Sequence, residues 1–379
     1  MSVIDLTSNT VYASLSAAIT GSAANDVIAL SAGSYVENFP DITHSLTIYS
    51  VGGLAQLTTP QPIPLNGRAI LYVPPDLNVS LSVVGLEISG AVDPVTNNNG
   101  AGILFEIGNG NLTVSNSWFH NNQEGILVGA ANAYSTAGTM VTINHSEFDN
   151  NGIAPGQPGS GFTHNLYVGA VAQLTVTNSY FHDAIGGHEI KSRAYVNVIT
   201  NNRIQDQAGP ASYSIDLANG GADIVSGNVI EKGSNAQNRY AVHFGGEGTY
   251  PDSSLTLTDN VFIGDRPGGT TALFNQSQDG SGANIPATVS GNTLYNIPLA
   301  NLYQDNFGPP YDNVSNTIVA SGAAPPLDTS HPFAVSEPAS AWLLPVALLA
   351  TAVLRRVRPR GRARVRSRNG SPARTSAWP

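Results

Sequence analysis

One short pattern recurs along most of this chain, and it restricts the possible folds more than any other feature. An alternating apolar segment leads to Asn or Ser, one variable residue follows, and a large apolar residue closes the unit. It reads LTVSNSWF at 112–119, VTINHSEF at 141–148, LTVTNSYF at 174–181 and VNVITNNRI at 196–204. It continues as ADIVSGNVI (222–230), LTLTDNVF (255–262), ATVSGNTL (287–294) and NVSNTI (313–318). The Asn/Ser position falls at Ser117, Ser146, Ser179, Asn202, Asn228, Asn260, Asn292 and Asn316, at spacings of 23 to 33 residues. A fixed motif on a varying period marks a solenoid whose turns absorb insertions while its strands keep register. The segments alternate with period two, which excludes helical repeats, and leucine-rich repeats would hold a tighter period. From about Val27 to Val319 the chain therefore reads as one stack of coils rather than several globular domains.

The residue choice has a physical basis. Stacked coils bury the alternate apolar side chains. Asn tolerates the left-handed bend between strands and can bond to the Asn above it, so the ladder position itself is expected to take the bend. The run Asn202, Asn228, Asn260, Asn292 and Asn316 resembles the internal asparagine ladder of pectate-lyase-like parallel β-helices. The segment LSAAITGSAANDVIALSAGSYVEN (15–38) resembles the opening of that superfamily: a short amphipathic helix, an Asp before the first strand, then a Gly-x-Tyr turn. The resemblance implies an all-β, right-handed single-stranded parallel β-helix over 27–320, with a cap over 1–26 that carries a short helix. It is silent on activity.

Composition narrows the function. Charged residues make up 11% of the chain, against about 25% in an ordinary soluble domain. There are no cysteines, so neither disulfides nor thiolate metal sites can form. The charge is divided unevenly. Up to Leu354 only Arg68, Lys191, Arg193, Arg203, Lys232, Arg239 and Arg266 stand against all 26 acids, a balance of −19, and the tail beyond carries nine arginines and no acid. An acidic body repels phosphate backbones, so no nucleic-acid partner is expected.

The C-terminal part changes character. Residues 321–340 read as a Pro-rich linker, 341–358 as an apolar helix with a basic end, and 359–379 as an Arg-rich disordered tail. Linker, Glu-Pro, apolar run and terminal arginines resemble the PEP-CTERM sorting signal of bacterial surface proteins, with Ser336-Glu337-Pro338 where that family has Pro-Glu-Pro. The resemblance implies a sorting or anchoring partner, membrane contact only through this helix, and a secreted or cell-surface location. The run from Ala341 to Leu354 is shorter than the roughly 20 residues a spanning helix prefers, and Pro345 interrupts it. The arginines suit a cytoplasmic end; the other reading is a frayed basic tail from a shifted frame. The opening MSVIDLTSNT has no basic or apolar region of a signal peptide, so an exported protein is expected to start further upstream.

Aligning the second strand of each coil locates the chemistry. NLYVG (165–169), EIKSR (189–193), SIDLA (214–218) and AVHFG (241–245) place Leu166, Ile190, Ile215 and Val242 inward. Tyr167, Lys191, Asp216 and His243 then form an outward column, on rungs about 4.8 Å apart. Asn165, Glu189, Ser214 and Ala241 flank it on one side, and Gly169, Arg193, Ala218 and Gly245 on the other. Five of the seven basic residues of the body fall between 191 and 239, whereas rungs outside this region are expected to carry Val, Thr, Ala and Gly. The segments GGHEIKSRA (186–194), SYSIDLANGG (212–221) and FGGEG (244–248) also resemble a recurrent motif set of bacterial β-helix proteins.

The functional reading is a groove for an acidic polysaccharide, acted on by lyase or epimerase chemistry. Uronate chemistry needs a cation to neutralise the C5 carboxylate and a base to remove the C5 proton. Arg193 suits bidentate clamping, and Lys191 serves as base if Arg193 depresses its pKa, with Tyr167 or His243 as acid and Asp216 beside them. Glu189, Asn165, Ser214 and His188 would contact substrate. This reading requires Lys191 or Arg193 to be free of a tight carboxylate and to line a concavity. Glu189 and Asp216 also offer two carboxylates for hydrolysis. The alternatives are carbohydrate binding without catalysis and a non-catalytic surface or matrix protein that uses the solenoid as a rigid spacer, its Glu189, Lys191, Arg193 and Asp216 forming a solvated salt-bridge ladder. His164 and His188 precede their strands in matching positions, beside Tyr213 and Tyr240, and read as a stacked ring column rather than metal ligands. Calcium binding by Asp183, Asp206 or Asp216 has no diagnostic spacing, so no cofactor or metal set is assigned.

Overall fold

Alternation of apolar and polar residues produces strands here because each coil can bury only one face. In Gln173–Thr177, Leu174 and Val176 are fully buried while their neighbours are half-exposed. A computed structural model describes residues 1–61, 67–93, 99–106, 108–129, 138–305, 315–319 and 324–333. The described chain is all-β and nearly helix-free, with two long, mostly parallel sheets of 21 and 9 strands stacked like a solenoid. One coil runs through Gln173–Thr177, Tyr180–His182 and Ile190–Ser192, and the next through Val196–Thr200, Arg203–Gln205 and Ile215–Leu217. Each strand pairs in parallel with its counterpart one coil on.

The ladder forms where the repeat places it. Each Nδ2 of Asn202, Asn228, Asn260 and Asn292 donates to the Oδ1 of the next, ending on Asn316, always at 3.0 Å. The same Oδ1 atoms accept the backbone N–H of the preceding ladder residue. Ser117, Ser146 and Ser179 continue the line with backbone N–H to hydroxyl bonds. The left-handed bend, however, lies one residue earlier than expected, at Asn116, His145, Asn178, Asn201, Gly227, Asp259, Gly291 and Ser315. Turning the backbone before the ladder residue aims that residue's side chain into the core, where its amide replaces lost strand bonds. Inside, Phe119, Phe148 and Phe181 stack at ring separations of 4.9 and 4.5 Å.

The helix Leu15–Gly21 caps the first coil with Leu15, Ala18 and Ile19 buried. Ser14 accepts the Ala17 N–H, and the Glu37 carboxylate accepts those of Leu15 and Ser16, which satisfies the helix start. The cap also holds an antiparallel pair that the sequence did not announce, Val3–Asp5 with Thr10–Tyr12. Within the expected linker, residues 324–333 lie against the strands. Arg203 reaches Asp328 and the Ser330 carbonyl, His331 reaches Glu147, and Phe333 is buried. The expected apolar helix and Arg-rich tail at 341–379 lie outside the described residues, and among those described no helix is long and apolar enough to cross a membrane.

Candidate functional site

The register of the candidate column is the one read from sequence. Leu166, Ile190, Ile215 and Val242 are all fully buried in one stack. Tyr167 pairs with Lys191, Lys191 with Asp216, and Asp216 with His243. The same column continues through Tyr72, Leu104 and Leu127 before the charged stretch and Phe274 after it. In this central column the small residues expected on the other rungs give way to aromatic and aliphatic side chains, and Leu104 and Leu127 pack in a small cluster with Ala69, Ala101, Tyr72 and Tyr167. Flanking positions keep Gly102, Gly125 and Ala272.

Asp216 is the hub. It is 2% exposed and meets Lys191 Nζ at 2.9 Å, His243 Nδ1 at 2.7 Å and His188 Nε2 at 3.3 Å. Burial alone would raise its carboxyl, but the His243 hydrogen bond and the charges around it hold it well below the usual carboxylate range. Lys191 also reaches Glu247 Oε1 at 2.8 Å, and the other Glu247 oxygen meets Arg193. Arg193 donates to the Tyr167 hydroxyl and to Asn219 Oδ1, both at 2.9 Å. Thus neither cation is free of a carboxylate, contrary to the requirement of an open glycan groove. Burial works to lower the Lys191 pKa, yet Asp216 and Glu247 outweigh it and raise the ammonium above its ordinary value. That direction is opposite to the lowering a base would need, and Arg193 spends its bonds on Glu247, Tyr167 and Asn219.

The flanking column is corrected as well. Asn165, Glu189 and Ser214 precede their strands in a turn that folds inward, and all three are fully buried. Asn165 closes a second internal ladder, in which Asn122 donates to Asn151, Asn151 to Asn165, and Asn165 to Glu189. Ser214 faces Asp206, which pairs with the fully buried Lys232 at 2.7 Å. Burial pushes the Glu189 carboxyl up to about 8, helped by the charge of Asp206. An interior Glu189 cannot join Asp216 around a glycosidic bond, nor does it belong to a solvated ladder with Lys191.

The ring column forms along the turn. His164 and His188 stack at 4.9 Å, His188 and Tyr213 at 5.1 Å, and Tyr213 and Tyr240 lie tilted at 6.3 Å. His164 Nδ1 accepts the His188 N–H and His188 Nδ1 the Tyr213 N–H, each at 3.0 Å. Burial pushes His164 well down and His188 to about 4, so both rings stay neutral at physiological pH. His188 lines a shallow cleft of about 270 Å³ with Gly156, Ser160, Gly187, Ser212 and Gln237. That concavity touches the charged network through His188 alone, and neither Lys191 nor Arg193 lines it.

Glu247, Asn219 and Gln276 were not singled out from sequence. Gln276 Oε1 lies 3.0 Å from His243 Nε2. Glu247 was legible only as part of FGGEG; its separation of 56 positions from Lys191 carries no local signal. The loop approaches closely because Gly245, Gly246 and Gly248 adopt positive φ, and a Cβ on Gly246 would stand 2.9 Å from the His243 ring. As for cation donors, the three acids considered for calcium are separate: Asp183 meets His182, Asp206 meets Lys232 and Asp216 meets Lys191. On the neighbouring sheet, ligand atoms of Glu147, Asp149 and His182 all lie within 4.8 Å of one another.

No protein-family model and no curated protein matches the chain. Among solved structures it is similar to "Geobacillus virus E2 - ORF18", with a TM-score of 0.50 at 12% identity. The match covers 80% of this chain and 56% of that one, so the chain spans little more than half the viral protein's length. At that identity the likeness is one of fold: a parallel-strand, solenoid-like all-β chain consistent with a β-helix.

Proposed function

We propose that the chain is a right-handed parallel β-helix of the pectate-lyase-like kind that binds an acidic glycan at Lys191 and Arg193, outside the cytoplasm, without turning it over. The observation that carries this reading is the Glu247 carboxylate, held between Lys191 and Arg193 on a glycine-flanked loop, with its side chain 41% exposed. A uronate carboxylate has the same charge and shape, so the cradle that accepts Glu247 suits a ligand group once the loop swings aside. The Tyr167 ring borders the cradle, with Arg193 5.9 Å from its centroid and bonded to its hydroxyl. The cap helix and the asparagine ladder support the β-helix assignment. Binding is favoured over lyase or epimerase chemistry because Lys191 is held protonated and His243 is 5% exposed beneath Gly246. The surface location and the sorting partner rest on the resemblance of the C-terminal sequence.

The test is a calorimetric and ultraviolet screen of polygalacturonate, alginate and a neutral glucan. One of the two polyuronates binds the parent weakly and Glu247→Gln more tightly, Arg193→Ala binds neither, and no unsaturated product absorbs. A glycan bound equally by parent, Glu247→Gln and Arg193→Ala moves the site elsewhere. Accumulation of unsaturated product restores the lyase reading.

A further inference from the structure

We infer that Glu147, Asp149, His182 and His331 form a site for one divalent transition-metal ion, zinc by donor chemistry, which fastens the segment 328–333 to the strands. The site is independent of the glycan face and lies on the other sheet. Glu147–Asp149 and Tyr180–His182 are neighbouring rungs in register, so Asp149 stands directly beside His182, with Glu147 two residues back on the same face. A fourth donor, an imidazole, arrives from far along the chain: His331 Nδ1 lies 2.5 Å from Glu147 Oε2, beside the three-residue group rather than within it, so it joins by moving from Glu147 onto the ion. His182 Nε2 lies 3.2 Å from Glu147 Oε1. Zinc–nitrogen and zinc–oxygen bonds of about 2.0–2.1 Å in a tetrahedron set donors about 3.3 Å apart, so that pair already spans one edge.

Two further features point to a cation. His182 Nδ1 lies 2.8 Å from Asp183 Oδ2. A carboxylate there holds the proton on Nδ1, so an ion that displaces the proton Nε2 donates to Glu147 meets a correctly oriented ring nitrogen, as metal-bound imidazoles require. Glu147, Asp149 and Asp183 crowd one spot, and the ion partners of Glu147 and Asp183 among the described residues are histidines, not lysine or arginine. The Trp118 indole donates to Asp149 and packs 5.4 Å from the His331 ring, on which Phe333 stacks at 5.3 Å. These rings wall the donors from water on one flank. Two imidazoles with carboxylates select zinc, nickel or copper over calcium or magnesium, which prefer all-oxygen shells.

The experiment uses the untagged full chain, stripped with chelator and titrated calorimetrically with zinc chloride and, separately, calcium chloride. The expected result is one equivalent of zinc at micromolar affinity or tighter and no calcium heat. His331→Ala should weaken zinc at least 10-fold, within the range that loss of a ligand's support produces, while His44→Ala leaves it unchanged. His331 sits on the exposed segment, so its replacement cannot unfold the coils, whereas His182→Ala is read only if its circular dichroism matches the parent. Zinc should also slow proteolysis within 328–333 in the parent and not in His331→Ala. Absence of stoichiometric zinc binding, or equal affinity in parent and His331→Ala, overturns the site.

Discussion

At the scale of single residues, burial decides which charges serve the fold and which are available to a ligand. Lys191 and Glu247 share a 2.8 Å contact but differ in surroundings: Lys191 is 9% exposed and bonded to the buried Asp216, whereas the Glu247 side chain is 41% exposed. Removing one partner of a buried pair costs about 3–5 kcal/mol, while an exposed partner contributes about 0–1 kcal/mol. Lys191→Ala is therefore expected to lower the thermal midpoint strongly, and Glu247→Gln to leave it nearly unchanged, in circular-dichroism melts. An outward position in the strand alternation would have suggested the opposite for Lys191. Asp223 gives a second residue-scale prediction. Its Oδ1 accepts the Asn197 amide and backbone N–H, its Oδ2 has no hydrogen-bond partner among the described residues, and burial pushes the carboxyl up to about 8. The unfolded group titrates near about 3.9, so between these values the folded state holds a proton that the unfolded state has released. Stability from this group is full below the unfolded value and is lost as pH rises toward about 8. His164 and His188, whose pKa burial lowers, act in the opposite direction, their contribution being lost as pH falls below about 6.5. Urea midpoints at about pH 6.5 and about pH 8 should consequently fall for the parent and fall less for Asp223→Asn, since Asn keeps the acceptor and cannot ionise. Equal slopes would mean Asp223 is already ionised in the folded state.

At the scale of strands and turns, the sequence is most legible where one residue type repeats for one physical reason. The Asn ladder, the inward stack of Leu166, Ile190, Ile215 and Val242, and the outward neighbours of those residues all follow from period-two alternation plus a fixed turn. A one-residue slip would have turned every one of them over. The turn itself was displaced by one position, because Asn suits both a left-handed backbone and an inward amide, and composition alone does not separate the two. The covering of the outward face was illegible for a different reason. Glu247 reaches Lys191, and His331 reaches Glu147, across loops whose path no periodicity encodes. The ladder supplies its own test. Truncating Asn260 removes the bonds to Asn292, Asn228 and the Val225 carbonyl, and leaves buried backbone groups unpaired. Each buried orphan costs about 1–3 kcal/mol. Asn316, half-exposed at the end of the line, can exchange its bonds for water. Asn260→Ala should thus shift the urea midpoint several times further than Asn316→Ala; similar shifts would show the ladder amides to be replaceable by water throughout.

At the scale of the whole molecule, a stack of coils has neighbours but no centre. The strands of each coil in the described chain pair only with those of the coils before and after, with a few side-chain bonds such as Lys191–Glu247 and Arg203–Asp328 reaching further, so stability is largely a sum of coil terms and interfaces. The two ends differ. The first coil is closed by the helix Leu15–Gly21, whose Leu15 and Ile19 are essentially unexposed, and Val3–Asp5 adds an antiparallel strand. Towards the other end, Tyr303–Asp305 and Thr317–Val319 have no fully buried residue, and Leu299 and Ile318 are 49% and 39% exposed. Between them, Asn202 to Asn292 sit in coils with both neighbours present and the amide ladder complete. Hydrogen exchange read by mass spectrometry should therefore show a gradient rather than one step. Amides of Thr317–Val319 exchange first, those of Tyr303–Asp305 and Thr293–Tyr295 next, and those of Ile215–Leu217 and Ala222–Ser226 last. The capped strand Asp26–Val36 is expected to stay protected with the middle coils despite lying at an end, because the helix and the antiparallel strand replace the missing neighbour. A single exchange rate from Asp26 to Val319 would show instead that the coils unfold as one unit, and fast exchange at Ile28 and Leu30 would show that the helix covers the first coil without stabilising it.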